Sequence, residues 1–284
     1  MEIKKIFSNE KCLDILPLNL FGFQGFRYIF AKLVFWTKYR FNNLDKENYK
    51  KLSKVFNEGY YVKDKFLDRN EFIELKKEFL EAIQELGIRE KQSDDENQEG
   101  IEYLTLYVDD KIKEKYPRIF RFKNNPFIEN YFSTCEQKKN YHLYCRLEKI
   151  KVKNENINDP NKDYHYDTFH NTFKCWLFID KVSYDQGPFR YLPFSNNFSI
   201  KRFFFEWKQS VLYSLKKNLN SSFRVSDKLK KKFDKDSVCM NVDENTLVMA
   251  NTHGLHRRGD AKIGTTRYAI QFWTRENPFK IILN

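Results

Sequence analysis

The sequence predicts a mainly β domain, an antiparallel barrel or jelly roll, with α-helices packed against its outside. Three observations lead there. From about residue 140 onward, short runs alternate polar and apolar residues, as half-buried strands do. The amino-terminal half instead carries helical periodicity. With 284 residues, 41% hydrophobic and 17% aromatic, the chain is long enough to bury a sizeable core and too apolar for wholesale disorder.

Residues 14–41, DILPLNLFGFQGFRYIFAKLVFWTKYRF, are apolar and aromatic, but Arg27 and Lys32 interrupt any run long enough to span a bilayer. Residues 1–44 read as an aromatic and basic helical segment, either packed on the domain or lying at a membrane surface. Peripheral membrane contact through residues 14–41 therefore stays open. Residues 45–284 read as one domain. In NLDKENYKKLSKVFNEG, Leu44, Tyr49, Leu52 and Phe56 share roughly one helical face, and Gly59 is a stop. YYVKDKFL is short and β-like. The next helix starts at a capping Asp68, ends at Gly87, and sets Phe72, Leu75, Phe79 and Ile83 on one side. The charged stretch REKQSDDENQEG (89–100) reads as a loop.

YHLYCRLEKIKVK (141–153) and FKCWLFIDKV (173–182) read as strands, separated by the polar NENINDPNKD. After the turn SYDQGP comes a helix inserted between strands, SIKRFFFEWKQSVLYSLKKNLN (199–220). NTLVMAN and RYAIQFWTR supply two further strands.

The net charge of +12 raises the question of a polyanionic partner. The basic residues are dispersed, with only short clusters such as Lys230, Lys231 and Lys232, so the charge reads as compositional bias and a nucleic-acid partner is not expected. Five cysteines, an odd number without CxxC spacing, argue against a disulfide framework or a zinc ribbon. The amino-terminal MEIKKIFSNEKCLD has no apolar signal-peptide core, so a cytoplasmic setting is expected.

One stretch concentrates metal-ligating side chains: YHYDTFHNTFK, residues 164–174. In an extended segment residues i and i+2 point the same way. His165 and Asp167 then offer one imidazole nitrogen and one carboxylate oxygen to a single point, two-thirds of the facial triad that holds non-haem Fe(II). Alone the motif is common by chance. Downstream, ANTHGLHRRGDAKIGTTRYAIQFW places His253 and His256 just after a strand, and Arg267 eleven residues beyond His256. An arginine reaching into a barrel can clamp a carboxylate bidentately. If residues 172–180 form a strand, Lys174 faces inward, toward a carboxylate-bearing cosubstrate or an acidic substrate group; a surface lysine is the equal alternative. His170 reads as a loop or supporting residue rather than a ligand, and Arg257 and Arg258 as flanking the entrance, either to bind an anionic substrate or as a solvated pair.

Three blocks carry a resemblance: EGYYVKDKFLDRNEFIELKKEF, HYDTFHNTFKCWLFIDKVSYDQGPFRYLPFS and NTHGLHRRGDAKIGTTRYAIQFW. In this order they resemble the phytanoyl-CoA dioxygenase family of Fe(II)/2-oxoglutarate-dependent oxygenases, over about residues 55–279. The resemblance implies a double-stranded β-helix, a cupin-like jelly roll. It implies catalytic Fe(II) on His165, Asp167 and His256, with 2-oxoglutarate anchored by Arg267 and dioxygen as co-reactant. His256 is preferred to His253 because it stands the family's usual distance before the arginine. The chain departs from the pattern at PFSNN, where Pro-Gly-Ser-His is frequent, and at Ala269, where some relatives place a serine. Tyr144 is the hydroxyl expected to stand in. Because Asp167 completes the ligand set, hydroxylation of a small-molecule substrate, with release of succinate and CO2, is the expected outcome rather than halogenation. Two alternatives are a non-catalytic jelly-roll module for a polyanion and a metal enzyme that works without 2-oxoglutarate.

Overall fold

The computed structural model describes residues 6–41, 46–89, 100–154, 159–215 and 223–280. Helices α1 (Leu16–Leu20), α2 (Phe23–Phe41) and α3 (Lys46–Asn57) lead into strand β1 (Tyr60–Lys63) and helix α4 (Arg69–Arg89). Then come β2 (Ile101–Tyr107), α5 (Pro117–Lys123), α6 (Pro126–Glu136), β3 (Tyr144–Val152), β4 (Phe173–Phe178) and β5 (Phe189–Tyr191). Helices α7 (Ile200–Leu215) and α8 (Asp227–Asp236) precede β6 (Val238–Met240), β7 (Thr246–Asn251), β8 (His256–Arg258) and β9 (Thr266–Trp273).

The strands form two antiparallel sheets. The larger has the order β1-β7-β4-β9-β3-β2 and the smaller β6-β5-β8. An isolated antiparallel bridge between His165 and His256 extends the smaller sheet by one residue. This is the mainly β, jelly-roll architecture with flanking helices that the sequence predicts. The predicted strands at 60–67, 141–153, 173–182, 245–251 and 267–275 are all present, some shorter than drawn. The loop expected at 89–100 and the last residues of the helix expected over 199–220 lie outside the described residues, except for positions 89 and 100.

Two features differ from expectation. The segment 14–41 is two helices rather than one, because Gly22 adopts φ +78° between them, a conformation open to glycine at little steric cost. Residues 101–136, to which periodicity gave no assignment beyond a charged loop before them, supply β2, α5 and α6. Both helices open on a proline in the first turn, at Pro117 and Pro126, where the missing N–H has no partner to lose.

The main core lies between the larger sheet and helices α3 to α6. Phe72, Leu75, Phe79, Ile119, Phe132, Leu147, Leu177, Leu247 and Ile270 are among its buried members. Strand β7 is buried at all six positions, since it is paired on both edges and covered on both faces. The alternation that marks a half-exposed strand disappears there. Strand β3 keeps it: Cys145 and Leu147 enter this core, while Arg146, Glu148 and Ile150 turn toward the space between the sheets.

In the layer formed by α1, α2 and α7, helix α7 packs the other way round from an ordinary surface helix, while α2 buries Tyr28, Ala31 and Val34 together with polar residues. On α7 the buried residues are Arg202, Glu206, Ser210 and Ser214, a strict i, i+4 stripe. Gln24 and Arg27 of α2 are 0% and 2% exposed. They are joined by hydrogen bonds: Asn19 Nδ2 donates to Ser214 Oγ at 2.9 Å, Gln24 Nε2 to Glu206 Oε2 at 3.1 Å, Arg27 Nη1 to Gln24 Oε1 at 2.9 Å and Arg202 Nε to Glu206 Oε1 at 2.7 Å.

Tyr191, fully buried on β5, fixes the approach of two chain segments. Its hydroxyl donates to Asn251 O at 2.8 Å. A Cβ at Gly254 would lie 1.8 Å from that hydroxyl, and one at Gly59, where φ is +95°, 2.1 Å from it. We expect Gly254→Ala to lower stability by about 1–3 kcal/mol, the usual range for overpacking. Gly59→Ala should lower it further, because backbone strain adds to the clash. Urea denaturation of the two variants measures both, and an unchanged midpoint for either would contradict this packing.

Candidate metal centre and cosubstrate chamber

His165 sits just after the short 3-10 turn Pro160–Lys162 and reaches the smaller sheet through two backbone hydrogen bonds. Its N–H donates to His256 O at 3.0 Å, and the His256 N–H donates back to His165 O at 3.2 Å. A directly opposed pair of this kind holds the two side chains close, and the ring centroids are 4.5 Å apart. The Asp167 N–H donates to Thr252 O at 3.2 Å, fixing the carboxylate two residues on. One ligating atom each from His165, Asp167 and His256 falls within a mutual distance of 4.8 Å. The Nε2 atoms of His165 and His256 are 3.9 and 3.7 Å from Asp167 Oδ1.

The far side of each ring is also fixed. His165 Nδ1 is 2.8 Å from Asp163 O, and His256 Nδ1 is 2.9 Å from Gly254 O. A carbonyl only accepts, so Nδ1 carries the proton in both rings and each Nε2 presents a lone pair to the shared point. Burial holds both imidazoles neutral. It pushes His165 down to about 3, with His256 adding to the shift, and it lowers His256 against the opposing pull of Asp167. Burial alone would push the Asp167 carboxyl up, but the Lys174 ammonium outweighs it and holds Asp167 well below the usual carboxylate range. Two neutral imidazole nitrogens and one carboxylate, each oriented through its other side, suit a divalent first-row metal with open coordination positions.

The three residues border a chamber of about 320 Å3 between the sheets. Inward positions line it at every second residue: Arg146, Glu148 and Ile150 of β3, Lys174, Trp176 and Phe178 of β4, and Arg267 and Gln271 of β9. Five cations face this space. Arg146 pairs with Glu148 at 2.5 Å, and Lys174 Nζ with Asp167 Oδ2 at 2.7 Å. Arg257 pairs with Asp234 at 2.9 Å, and Arg258 with Asp159. Arg267 forms no ion pair with a carboxylate among the described residues; its Nη1 donates to Gly187 O. Burial, then the nearby Arg258, lower its pKa. An unpaired cation in such surroundings is stabilised by a bound anion.

The other candidates are placed as follows. His253 is fully buried and turns away from the three ligating atoms. Its Nδ1 is 3.2 Å from Thr168 O, and its ring stacks on Tyr28 at 5.7 Å. His170 is likewise buried, with Nδ1 3.0 Å from Asn171 O. Lys174, expected to face the cosubstrate, is engaged with Asp167. Arg257 and Arg258 are neither a solvated pair nor free to take a substrate, since each is held by an aspartate. Tyr144 is 40% exposed and stacks on Trp273, so it does not supply the chamber hydroxyl. Tyr103 and Thr105 of β2 line the chamber instead, with the Tyr103 hydroxyl accepting from Arg258 Nη1 at 2.5 Å. The signal for them was IEYLTLY, whose alternation marks a strand but which carries no histidine, cysteine or cationic residue to draw attention.

No protein-family model matches the chain, and no curated protein matches it. Solved structures share its fold. EctD from S. alaskensis with bound Fe is 11% identical, with a TM-score of 0.51 over 81% of this chain and 79% of that one. The epimerase SnoN, in complex with Fe3+, alpha-ketoglutarate and nogalamycin RO, is 12% identical, with a TM-score of 0.51 over 81% and 84%. The non-haem alpha-ketoglutarate-dependent carbocyclase SnoK from nogalamycin biosynthesis is 14% identical, with a TM-score of 0.50 over 82% and 84%. At these identities the likeness establishes a shared jelly-roll fold.

The Arg258–Asp159 pair closes one wall, with the Asp159 side chain 0% and the Arg258 side chain 8% exposed. Removing one partner leaves a buried charge unpaired, so Asp159→Ala is expected to destabilise the protein by about 3–5 kcal/mol. A thermal-denaturation midpoint within error of wild type would show that this pair does not hold the wall.

Proposed function

We propose that the chain is an Fe(II)/2-oxoglutarate-dependent dioxygenase that hydroxylates a small organic or lipid-like substrate, releasing succinate and CO2. The observation that carries this reading is the convergence of His165, Asp167 and His256 at the edge of a chamber whose one guanidinium without a carboxylate partner, among the described residues, is Arg267. The fold shared with EctD, SnoN and SnoK supports it, as do the iron bound in EctD, the Fe3+ and alpha-ketoglutarate bound in SnoN, and the alpha-ketoglutarate dependence of SnoK. The finer assignment to the phytanoyl-CoA dioxygenase family rests on the three sequence blocks and their order.

His165 Nε2, Asp167 Oδ1 and His256 Nε2 would hold the iron, and the bound metal would supply the activation of dioxygen. The protein's part is positioning. The carbonyls of Asp163 and Gly254 keep both imidazoles in the tautomer that leaves Nε2 free. Lys174 keeps Asp167 ionised and steers its second oxygen away from the imidazoles, a positioning role in place of the cosubstrate contact first expected of it. Arg267 receives the distal carboxylate of 2-oxoglutarate through its planar fork of donors. Because the neighbouring cations are already neutralised by their own aspartates and glutamate, they do not compete for that carboxylate. Trp176, Phe178 and Phe189 restrict water around it.

Anaerobic titration with Fe(II) and then 2-oxoglutarate, followed by the metal-to-ligand absorption band, tests each part. Asp167→Ala is expected to lose tight iron binding and product hydroxylation. An Asp167→Ala protein that still forms wild-type product would remove Asp167 from the ligand set. Arg267→Lys should leave iron affinity intact and weaken 2-oxoglutarate binding at least tenfold, equivalent to about 1.4 kcal/mol; an unaltered affinity places the anchor elsewhere. Substrate identity is sought by incubating the loaded enzyme with metabolite panels and measuring succinate together with a product one oxygen heavier.

A further inference from the structure

We propose that the outer face of the α1–α2–α7 layer docks on an anionic lipid surface. This inference is independent of the reaction at the metal centre. It rests on the inverted packing of α7 and on the exposed apolar side that α7 shares with α2. A helix on the surface of a water-soluble domain sets its apolar stripe inward and its charges outward. Here the inward stripe of α7 is polar, formed by Arg202, Glu206, Ser210 and Ser214, and α2 buries Gln24 and Arg27 against it beside its own Tyr28, Ala31 and Val34. The outward side is aromatic and aliphatic. Phe21, Phe26, Leu33, Trp36, Ile200 and Phe204 are each more than half exposed, Phe21 at 82%.

These residues form one surface. At 100° per residue, Phe26, Leu33, Trp36 and Arg40 fall within about 80° of arc on α2. Ile200, Phe204 and Lys208 follow one another at i, i+4 and i+8 on α7. The two helices are stitched at Gly22 and Gly25, where a Cβ would meet Trp207 at 3.2 Å and Phe203 at 2.6 Å. Ring contacts then run from Phe26 to Phe203 at 5.5 Å, and from Phe203 to Phe204 at 5.2 Å. A groove of about 620 Å3 opens within the same surface among Leu33, Trp36 and Phe198, with Lys32 also lining it. Contiguous exposed apolar surface of this kind marks an interaction site rather than ordinary surface.

Charge selects the occupant. Residues 15–41 contain no aspartate or glutamate, and neither do residues 193–205. The exposed cations are Lys201 and Lys208 on α7 and Arg40 on α2, whose guanidinium lies 5.4 Å from the Trp36 ring centroid. Tryptophan, phenylalanine and leucine on a face flanked by lysine and arginine, without carboxylates, match the boundary between acyl chains and anionic headgroups. No helix among the described residues is long and apolar enough to cross a membrane, so the contact is peripheral.

The test is sedimentation of the full chain with phosphatidylcholine vesicles and with vesicles containing phosphatidylglycerol. We expect binding to the anionic vesicles and at least tenfold weaker binding to phosphatidylcholine alone. The triple variant Phe26→Ser, Trp36→Ser, Phe204→Ser should reduce binding at least tenfold while keeping the wild-type melting temperature and iron affinity, because all three side chains are exposed. The double variant Lys201→Glu, Lys208→Glu should remove the preference for phosphatidylglycerol. As a second readout, the tryptophan emission of wild type should shift to the blue on binding, and Trp36→Phe should reduce that shift without abolishing sedimentation. The proposal is overturned if wild type does not sediment with either vesicle, or if the triple variant sediments as wild type does. It is equally overturned if wild type is a dimer in vesicle-free buffer and the triple variant a monomer, which would make the face a contact between copies.

Discussion

Two backbone hydrogen bonds between His165 and His256 hold together what the chain separates by ninety-one positions. They form a single opposed pair, His256 at the start of β8 and His165 outside the named strands, yet the geometry of the site depends on them. They set the spacing of the two rings, and the segment from Asp163 to Thr172 follows from that anchor. Asp167 is fixed by Thr252, and Thr172 O accepts from the Thr252 N–H at 2.8 Å. Side-chain rotamers could not by themselves bring three ligating atoms this close while leaving their Nε2 lone pairs free. The backbone ladder does so because its register is discrete: slipping by one residue would turn His165 to the other face.

The electrostatics around the site follow a similar economy. Placing five cations in one enclosed space would be unfavourable if each were left to water, since burial penalises charge. Glu148, Asp159, Asp167 and Asp234 each take one cation. Neutralisation of four in place gives the fifth its selectivity, because a ligand carboxylate meets one open partner rather than a diffuse positive field. Lys174 illustrates how close the two arrangements are. On sequence grounds it could serve the cosubstrate equally well, being on the same sheet and facing the same space. Its proximity to Asp167 commits it to the metal side of the chamber.

Much of the fold was legible because the strands that build it keep their alternation. YCRLEKIKV shows polar and apolar residues in turn since one side faces helices and the other a polar chamber. The His-x-Asp pair and the late histidine were legible for a related reason: few residue types can ligate a metal, and they stood at strand ends. What escaped was long-range pairing. IEYLTLY alternates as a strand does, but its place beside β3, from Ile101–Val152 to Tyr107–Arg146, is what brings Tyr103 and Thr105 to the chamber, and so they were missed. The partners of Arg257 and Arg258 were equally invisible, because Asp234 and Asp159 lie on a helix and a polar turn distant in sequence. The segments that became α2 and α7 were legible as helical, but not which of their residues face inward, since that depends on the polar residues of the neighbouring helix.

Strand β9 lies at the centre of the larger sheet, between β4 and β3, although it follows every other strand in the chain. Its hydrogen bonds join the half carrying β1, β7 and β4 to the half carrying β3 and β2. During synthesis these halves emerge first and must wait, each with an open edge able to recruit a foreign strand. Completion of the sheet is therefore deferred until translation has passed Trp273, and Arg267 arrives on that same closing strand. A nascent chain can assemble the metal-ligating corner beforehand, but it cannot yet offer an anion its counter-charge. Interruption of translation just before this strand would yield a polypeptide with nearly all of its core residues and no continuous sheet, a natural client for chaperones rather than a shortened but folded protein.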